Sequence, residues 1–360
     1  MKINSKLYLK LIAWLIITSL TTIAAAQEVQ VEIAEKPIPF LSLETRMENP
    51  KIEVSAVEAI DEAGNFLLAV DDEDARLMIV ETKTGRILKY LSLKGVPNKP
   101  KPKWEALARD DEGTYYVVAS HSLKEGETDA EKLKARSRLF CFRLKSNGSD
   151  ISAIEIDENS VTELSIADSI VSEEQISNPN KSKAKVEGLA VRTLFNADKK
   201  VLKRELIVGL REPDNPIRVL AADITKLPEP NAKLELKRLF VFTPGTSEMV
   251  KLRLSSIEYV PIWKGFLILT STEDKKNKFH GNALWFLSDE KIMPAKSKLT
   301  PVNPQKVWTF GIDQKAEGIC ILPAADTAKI ILAVLVYDND GETTKKSSSI
   351  QKIVLANWTK

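Results

Sequence analysis

The sequence predicts an all-β fold, a β-propeller of five four-stranded blades. A three-residue motif recurs along the chain: Glu or Ser, then a small residue, then an aliphatic one. The copies begin at Ser55, Glu105, Glu187, Ser255 and Glu317. Their spacings of 50, 82, 68 and 62 residues fit one four-stranded blade with its loops, and they are too long for a helical-solenoid unit. A sixth, degenerate blade within the 82-residue interval is the alternative.

The first 26 residues have the pattern of a secretory signal peptide. Lys2, Lys6 and Lys10 precede an apolar run from Leu11 to Ile17, and small residues end the segment at Ala26. We therefore expect a signal peptide over 1–26, one domain over 27–360, and export to the periplasm or the medium. An uncleaved membrane anchor is the alternative. Removing the segment changes the formal charge from +2 to −1, which gives no electrostatic footprint for nucleic acid or an anionic membrane.

Each motif strand is followed by further apolar strands of the same blade. The predicted second strands are Phe66–Val70, Tyr115–Ala119, Leu206–Leu210, Phe266–Leu269 and Ile330–Val336. The predicted third strands are Leu77–Val80, Leu139–Leu144, Ile217–Ala222, Ala283–Leu287 and Ile350–Leu355. Fourth strands are expected at Ile87–Leu91, Ile151–Ile156, Leu234–Phe242 and Val307–Phe310.

The last repeat ends without a fourth strand, so an N-terminal strand is expected to close the ring. Val29–Ile33 and Ile38–Leu43 are the two candidates. The only cysteines, Cys141 and Cys320, lie in apolar strands of different repeats, where we expect small buried hydrophobes rather than a disulfide. Two polar stretches, Lys124–Arg136 and Ser172–Lys185, are predicted loops, and the first has the composition of a short helix.

The opening residue of each motif is expected at one mouth of the central tunnel, together with the residues that follow each second strand. Glu105, Glu187 and Glu317 would meet there, and such carboxylates suit calcium. Each has a lysine two positions earlier, at Lys103, Lys185 and Lys315, on the same face of an extended strand. The alternative is therefore a ring of purely structural Lys–Glu pairs.

Two further side chains are candidates for ligand binding at this mouth. Arg211 follows the second strand of its repeat, where it would bind a phosphate or carboxylate, or else pair with Glu187. His121 lies on a connection of the same face and has the pKa range of a general base, although a surface histidine without a role is the alternative. His280 is expected on that face too. Acidic runs at Asp71–Asp74 and Asp338–Gly341 match calcium loops only in part.

Three stretches carry a resemblance to known families: Lys103–Asp110 with Tyr115–His121, Lys185–Ala190 with Leu206–Pro213, and Lys315–Cys320. There the chain resembles a bacterial family of exported proteins catalogued as a domain of unknown function, and more distantly the phytase-like esterase propellers. The first resemblance implies a secreted propeller without an established activity. The second implies calcium-assisted phosphoester or ester hydrolysis.

The predicted function is the binding of a small ligand at one mouth of the tunnel through Glu105, Glu187, Glu317, Arg211 and His121, with no cofactor required. A calcium-assisted hydrolase is the alternative, and a scaffold for a protein partner is a third. The chain has no Gly-x-Ser-x-Gly elbow, Gly-rich phosphate loop, His-Glu-x-x-His or Cys-x-x-Cys, which are the usual anchors of serine hydrolases, nucleotidases and zinc peptidases.

Overall fold

The computed structural model of the chain describes residues 27–43, 52–72, 74–96, 99–122, 129–146, 151–167, 169–170, 185–212, 216–226, 229–243, 250–274, 278–292, 301–322, 329–338 and 348–359. The predicted signal peptide lies outside these ranges, as do most of the two polar stretches. Glu73, Pro213, Asn339 and Asp340 also lie outside them.

The strands form five antiparallel sheets, one for each motif copy, arranged as a five-bladed propeller. Two strands precede the blades, β1 (Gln27–Ala34) and β2 (Ile38–Pro39). Blade 1 contains β3 (Val54–Ala59), β4 (Phe66–Asp71), β5 (Arg76–Glu81) and β6 (Arg86–Leu91). Blade 2 contains β7 (Trp104–Arg109), β8 (Thr114–Ala119), β9 (Leu139–Ser146) and β10 (Ile154–Leu164), with helix α1 (Ala130–Arg136) between β8 and β9.

The remaining three blades repeat this order. Blade 3 contains β11 (Lys185–Phe195), β12 (Val201–Glu212), β13 (Ile217–Asp223) and β14 (Lys237–Phe242). Blade 4 contains β15 (Val250–Val260), β16 (Gly265–Asp274), β17 (Phe279–Ser288) and β18 (Gln305–Thr309). Blade 5 contains β19 (Ala316–Leu322), β20 (Ile330–Tyr337) and β21 (Ser349–Thr359). Short 3₁₀ turns occur at Ile151–Ala153, Pro261–Trp263 and Asp289–Lys291.

The prediction of five blades closed by an N-terminal strand is confirmed. Strand β1 pairs antiparallel with β21 from Gln27 opposite Thr359 to Ala34 opposite Ile353, so it is the fourth strand of blade 5. Both N-terminal candidates pair with β21, because β2 adds two further pairs at the other end of that strand. The alternative of a sixth blade is wrong, because the 82-residue interval from Glu105 to Glu187 holds α1 and two long strands of blade 2 instead.

Several predicted boundaries differ from the observed ones. Strand β10 begins at Ile154, because the preceding residues form a 3₁₀ turn, and β14 begins at Lys237 rather than Leu234. Strands β12 and β16 extend to Glu212 and Asp274, beyond the apolar residues that suggested their ends, since polar side chains at the end of the ring do not interrupt backbone pairing. The predicted helix is confirmed over its described part, where the Asp129 side chain caps the Lys132 amide.

The core consists of apolar layers between neighbouring blades, and the first strands of the blades pack against one another around the axis. The small second residue of each motif is needed for this packing. A Cβ on Gly318 would lie 3.0 Å from the Cα of Ala56 in blade 1, and one on Gly188 would lie 2.8 Å from the Ile257 side chain in blade 4. Both cysteines are buried and free, as predicted. The described residues include no helix with the length and apolar character of a membrane span.

Candidate functional site

All five first strands carry a β-bulge at the residue that opens the motif. The pairing register between first and second strands skips one residue in every blade, namely Ser55, Glu105, Glu187, Ser255 and Glu317. A bulge leaves its extra residue out of the ladder and redirects its side chain. The recurring Glu or Ser therefore marks one irregularity that each blade repeats at the same end of the ring.

The ends of the second strands lie at this same end, as predicted. The Asp72 amide donates to the Glu53 carbonyl at 3.0 Å, and the Asp338 amide donates to the Lys315 carbonyl at 3.0 Å. The Ser120 amide donates to the Lys103 carbonyl at 2.8 Å. We call this end of the ring the motif mouth; it comprises the five bulged residues, the residues two positions before them, and the residues at and just after the ends of the second strands.

Ion pairs at the motif mouth cross from blade to blade. The Lys103 ammonium lies 2.7 Å from Asp72 of blade 1 and 3.8 Å from Glu105 of its own strand. The Lys185 ammonium contacts Glu187 of its own strand and lies 3.4 Å from Glu105 of blade 2. Each lysine thus joins the glutamate of its own motif to an acid of the preceding blade.

The chain of ion pairs continues from blade 3 into blade 4. The Arg211 guanidinium lies 3.5 Å from Glu187 and also contacts Glu273, which belongs to blade 4. Arg253 contacts the other oxygen of Glu273. A continuous series of ionisable side chains therefore runs from Asp72 in blade 1 to Arg253 in blade 4.

Blade 5 holds a separate group at the same mouth. The Lys315 ammonium lies 3.2 Å from Glu317 and 3.6 Å from Asp338. Burial raises the pKa of Glu317 against the opposing effect of Lys315, and the charges of Glu187 and Arg211 also act on it. Four of the five predicted ligand-binding residues, Glu105, Glu187, Glu317 and Arg211, thus share one electrostatic environment.

The two central glutamates differ in protonation. Burial, followed by the negative charge of Glu187, raises the pKa of Glu105 to about 8, although Lys185 and Lys103 oppose the rise. Burial acts on Glu187 in the same direction, but Lys185 and Arg211 outweigh it and lower the pKa of that carboxyl. At neutral pH the mouth therefore holds a largely protonated carboxyl beside an ionised one.

His121 lies on the β8–β9 connection, as predicted, but apart from the ion pairs. Its ring is buried and its Nε2 has no hydrogen-bond partner within the described structure. Burial alone lowers its pKa to about 3, without a contribution from any charged group of the mouth. His121 is neutral at physiological pH and lies in the left-handed region with φ 56°. His280 lies in β17 rather than in a connection, exposed and 3.2 Å from Asp274.

The sequence interpretation missed several members of the site. Arg253 stands two residues before Ser255, the position that lysine occupies in three other copies of the motif. Aligning the copies would therefore have predicted a cation at Arg253. Glu273 was expected at the mouth, within the run Thr272–Asp274 that follows a second strand, but it was not among the predicted ligand-binding residues. Deeper along the axis, three residues after the motif start, Glu58 and Glu258 interact electrostatically, and burial raises the pKa of Glu58 to about 8.

The carboxylates of the described residues at the mouth are not arranged as a calcium site. Among the described residues, no three His, Cys, Asp or Glu side chains are grouped in a way that would hold a metal ion. Glu105, Glu187 and Glu317 each contact lysine instead. A calcium ion would have to displace these ammonium groups, so the residues present do not fit the metal that the phytase-like resemblance implies.

No family model matches the chain, and no curated protein matches it. Solved structures match it over most of its length at low identity. A PQQ-bound aldose sugar dehydrogenase from Streptomyces coelicolor is 12% identical, with 93% of this chain and 99% of that chain covered and a TM-score of 0.43. An exo-β-1,3-galactanase from Phanerochaete chrysosporium is 7% identical, with 91% and 63% covered and a TM-score of 0.45. A member of the DUF4221 family from Bacteroides vulgatus is 10% identical, with 93% and 100% covered and a TM-score of 0.40.

Proposed function

We propose that the protein is an exported propeller that binds a small polar ligand at the motif mouth. The observation that carries the proposal is a set of buried oxygen atoms without hydrogen bonds. Within the described structure, Glu105 Oε1, Ser120 Oγ and Ser255 Oγ are buried and have no hydrogen-bond partner. Buried polar atoms in folded proteins are nearly always satisfied, and a ligand or ordered water would satisfy these.

The position of these atoms supports binding at the mouth rather than inside a blade. Glu105 and Ser255 are the bulged residues of the first strands of blades 2 and 4. Ser120 lies between two first strands. Its amide donates to the carbonyl of Lys103, the residue before β7, and its own carbonyl accepts from the Val186 amide of β11 at 2.9 Å. These backbone bonds hold the site on rigid elements, which limits the entropy lost on binding.

The test is thermal unfolding of residues 27–360 with four probes of different chemistry: calcium chloride, inorganic phosphate, glucose and putrescine. A probe that binds only the folded state stabilises it by about 2.7 kcal/mol at a hundred times its Kd. We expect at least one probe to raise the unfolding midpoint in the native protein and to lose that effect in Glu187→Gln. Each shift is measured against the variant's own midpoint, so a change in basal stability does not affect the comparison.

Glu235→Gln is the matched control, because the Glu235 side chain is 79% exposed and precedes β14, outside the motif mouth. It should keep every shift of the native protein. If no probe shifts the midpoint at concentrations up to tens of millimolar, the proposal is wrong. A calcium-dependent shift that a chelator reverses would instead support calcium-assisted hydrolysis, which stays a prediction of the phytase-like resemblance.

A further inference from the structure

We infer that the ligand of the motif mouth is a neutral polyhydroxylated molecule such as a sugar. This inference rests on the proposed function and names the chemical class that the site would bind. Three features support it: the balance of charge at the mouth, the alternation of acceptors and donors along its ion pairs, and a neutral hydroxyl beside them.

The first feature is that cations and carboxylates are equal in number within the two ion-paired groups of the mouth, one from Asp72 to Arg253 and one around Lys315. The ion pairs join the cations Lys103, Lys185, Arg211, Arg253 and Lys315 with the carboxyls Asp72, Glu105, Glu187, Glu273, Glu317 and Asp338. Because Glu105 is largely protonated at neutral pH, five carboxylates then face five cations. An anion or a cation would meet like charges as well as opposite ones and would have to break an existing ion pair.

The second feature is the alternation of ammonium and carboxyl groups along the row of ion pairs from Asp72 to Glu187. From Asp72 through Lys103, Glu105 and Lys185 to Glu187, a carboxyl follows an ammonium at every step. A hydroxyl group donates to a carboxyl oxygen and accepts from an ammonium at the same time. Adjacent hydroxyls on a sugar ring present this pair of functions repeatedly, which neither phosphate nor a metal ion does.

The contacts of Glu105 Oε1 within the row are longer than hydrogen bonds. Its Oε1 lies 3.4 Å from Lys185 and 3.8 Å from Lys103, beyond the 2.7–3.2 Å usual for an N–H···O bond, and it accepts no hydrogen bond. By contrast, the Lys103 ammonium lies 2.7 Å from an oxygen of Asp72, which is hydrogen-bond distance. Glu105 is therefore a member of the row with unused hydrogen-bonding capacity.

The third feature is the Ser120 hydroxyl. Trp104 pairs with Ala119, and the Ser120 amide extends this ladder to Lys103, so Ser120 lies opposite Lys103. Opposite residues in an antiparallel pair present their side chains on the same face. Ser120 has no exposed surface, and its Oγ lacks a hydrogen-bond partner in the described structure. A neutral donor and acceptor thus stands beside the charged row.

The experiment is saturation-transfer NMR with the folded chain of residues 27–360 at pH 7. The probes are glucose, galactose, mannose, xylose and N-acetylglucosamine, with inorganic phosphate, calcium chloride and putrescine titrated separately by calorimetry. We expect at least one neutral sugar to bind and Ser120→Ala to weaken it about tenfold, the effect of one hydrogen bond of about 1.4 kcal/mol. Ser120→Ala removes a hydroxyl that has no partner in the free protein, so its unfolding midpoint should not fall.

Glu105→Gln should weaken sugar binding as well, whereas the Glu235→Gln control should leave it unchanged. Binding of phosphate, calcium or putrescine without any of the sugars would overturn this inference and leave the proposed function standing. Failure of all the probes would overturn both. Sugar binding that survives in both Ser120→Ala and Glu105→Gln would place the site elsewhere and also contradict the inference.

Discussion

Glu105 is the residue at which burial and charge conflict most sharply. Its side chain is 3% exposed and lies near the ionised Glu187, so its charged form is disfavoured although two lysines are close. Proteins retain such groups at the expense of stability, and they often do so at functional sites. The protonation of Glu105 therefore has a consequence for stability that can be measured without a ligand.

We expect Glu105 to make the protein less stable as the pH rises from about 4.5 to about 8. Below pH 4.5 the folded and unfolded states both hold the proton, and the full stability is present. Above that pH the unfolded chain releases the proton while the folded state keeps it, so stability is lost as the pH rises through the folded pKa. In Glu105→Gln this part of the pH dependence disappears, a gain on the order of 5 kcal/mol at pH 8.5 relative to the native protein, because each pKa unit corresponds to about 1.4 kcal/mol.

The measurement is the free energy of urea unfolding at pH 5 and pH 8.5 for the native protein and the variant. Glu58, whose pKa is also raised to about 8, should leave a residual dependence of the same sign in Glu105→Gln. Glu235→Gln serves as the exposed control and should follow the native profile. An unchanged pH profile in Glu105→Gln would contradict the assigned protonation.

The sequence predicted the pairing of each glutamate with its own lysine, because residues two apart share a face of a strand. It did not predict that Lys103 and Lys185 also reach acids of the preceding blade. That contact depends on the bulges and on the approach of neighbouring first strands, which no local pattern encodes. The same limit applies to His121, whose chain position was predicted but whose burial away from the charges was not.

At the scale of the element, strand β1 closes the ring, and one side chain fastens its outer edge. Gln305 is the first residue of β18. Its side-chain Nε2 donates to the Val29 carbonyl at 2.9 Å, and its side-chain Oε1 accepts from the Val29 backbone amide at 3.1 Å. A single side chain thus satisfies both backbone groups of one edge residue. This contact links blade 5 to blade 4 and protects an edge that would otherwise be free to pair with another chain.

We expect Gln305→Ala to lower the free energy of unfolding by about 2 kcal/mol, because each lost hydrogen bond contributes about 1 kcal/mol. Hydrogen exchange of the β1 amides, followed by NMR, should accelerate more than exchange in blades 1 to 3. Gln30→Ala is the control on β1 itself, since the Gln30 side chain is exposed and donates to Glu28 of the same strand. Equal effects of the two substitutions would show that Gln305 does not fasten the strand.

At the scale of the whole molecule, the five-blade architecture was predictable because its signal is local and repeated. Each motif places a small residue where first strands approach closely, and each apolar run has the length of a strand. The missing fourth strand and the spare N-terminal strand implied closure of the ring. The 82-residue spacing could not distinguish five blades from six, because a helix and long strands take up as many residues as a further blade would.

The ion pairs at the motif mouth also act on the molecule as a whole, because they join blades that share few backbone bonds. Arg211 of blade 3 is 9% exposed and contacts Glu187 and also Glu273 of blade 4. Removing one partner of a buried pair leaves an uncompensated charge and costs about 3 kcal/mol or more. We therefore expect Arg211→Met to destabilise the protein by that amount, and Glu273→Gln in the same chain to recover part of the loss.

A double-mutant cycle on Arg211 and Glu273, measured by urea unfolding, should give a coupling energy above about 1 kcal/mol. The matched comparison is the pair of Lys94 and Glu158, which also joins two blades, at 3.2 Å, but whose side chains are 71% and 64% exposed. Its cycle should give less than about 1 kcal/mol, because solvent screens exposed charges. Equal coupling energies for the two cycles would mean that burial at the motif mouth adds nothing to the attraction, and the mouth would then contribute little to holding blades 3 and 4 together.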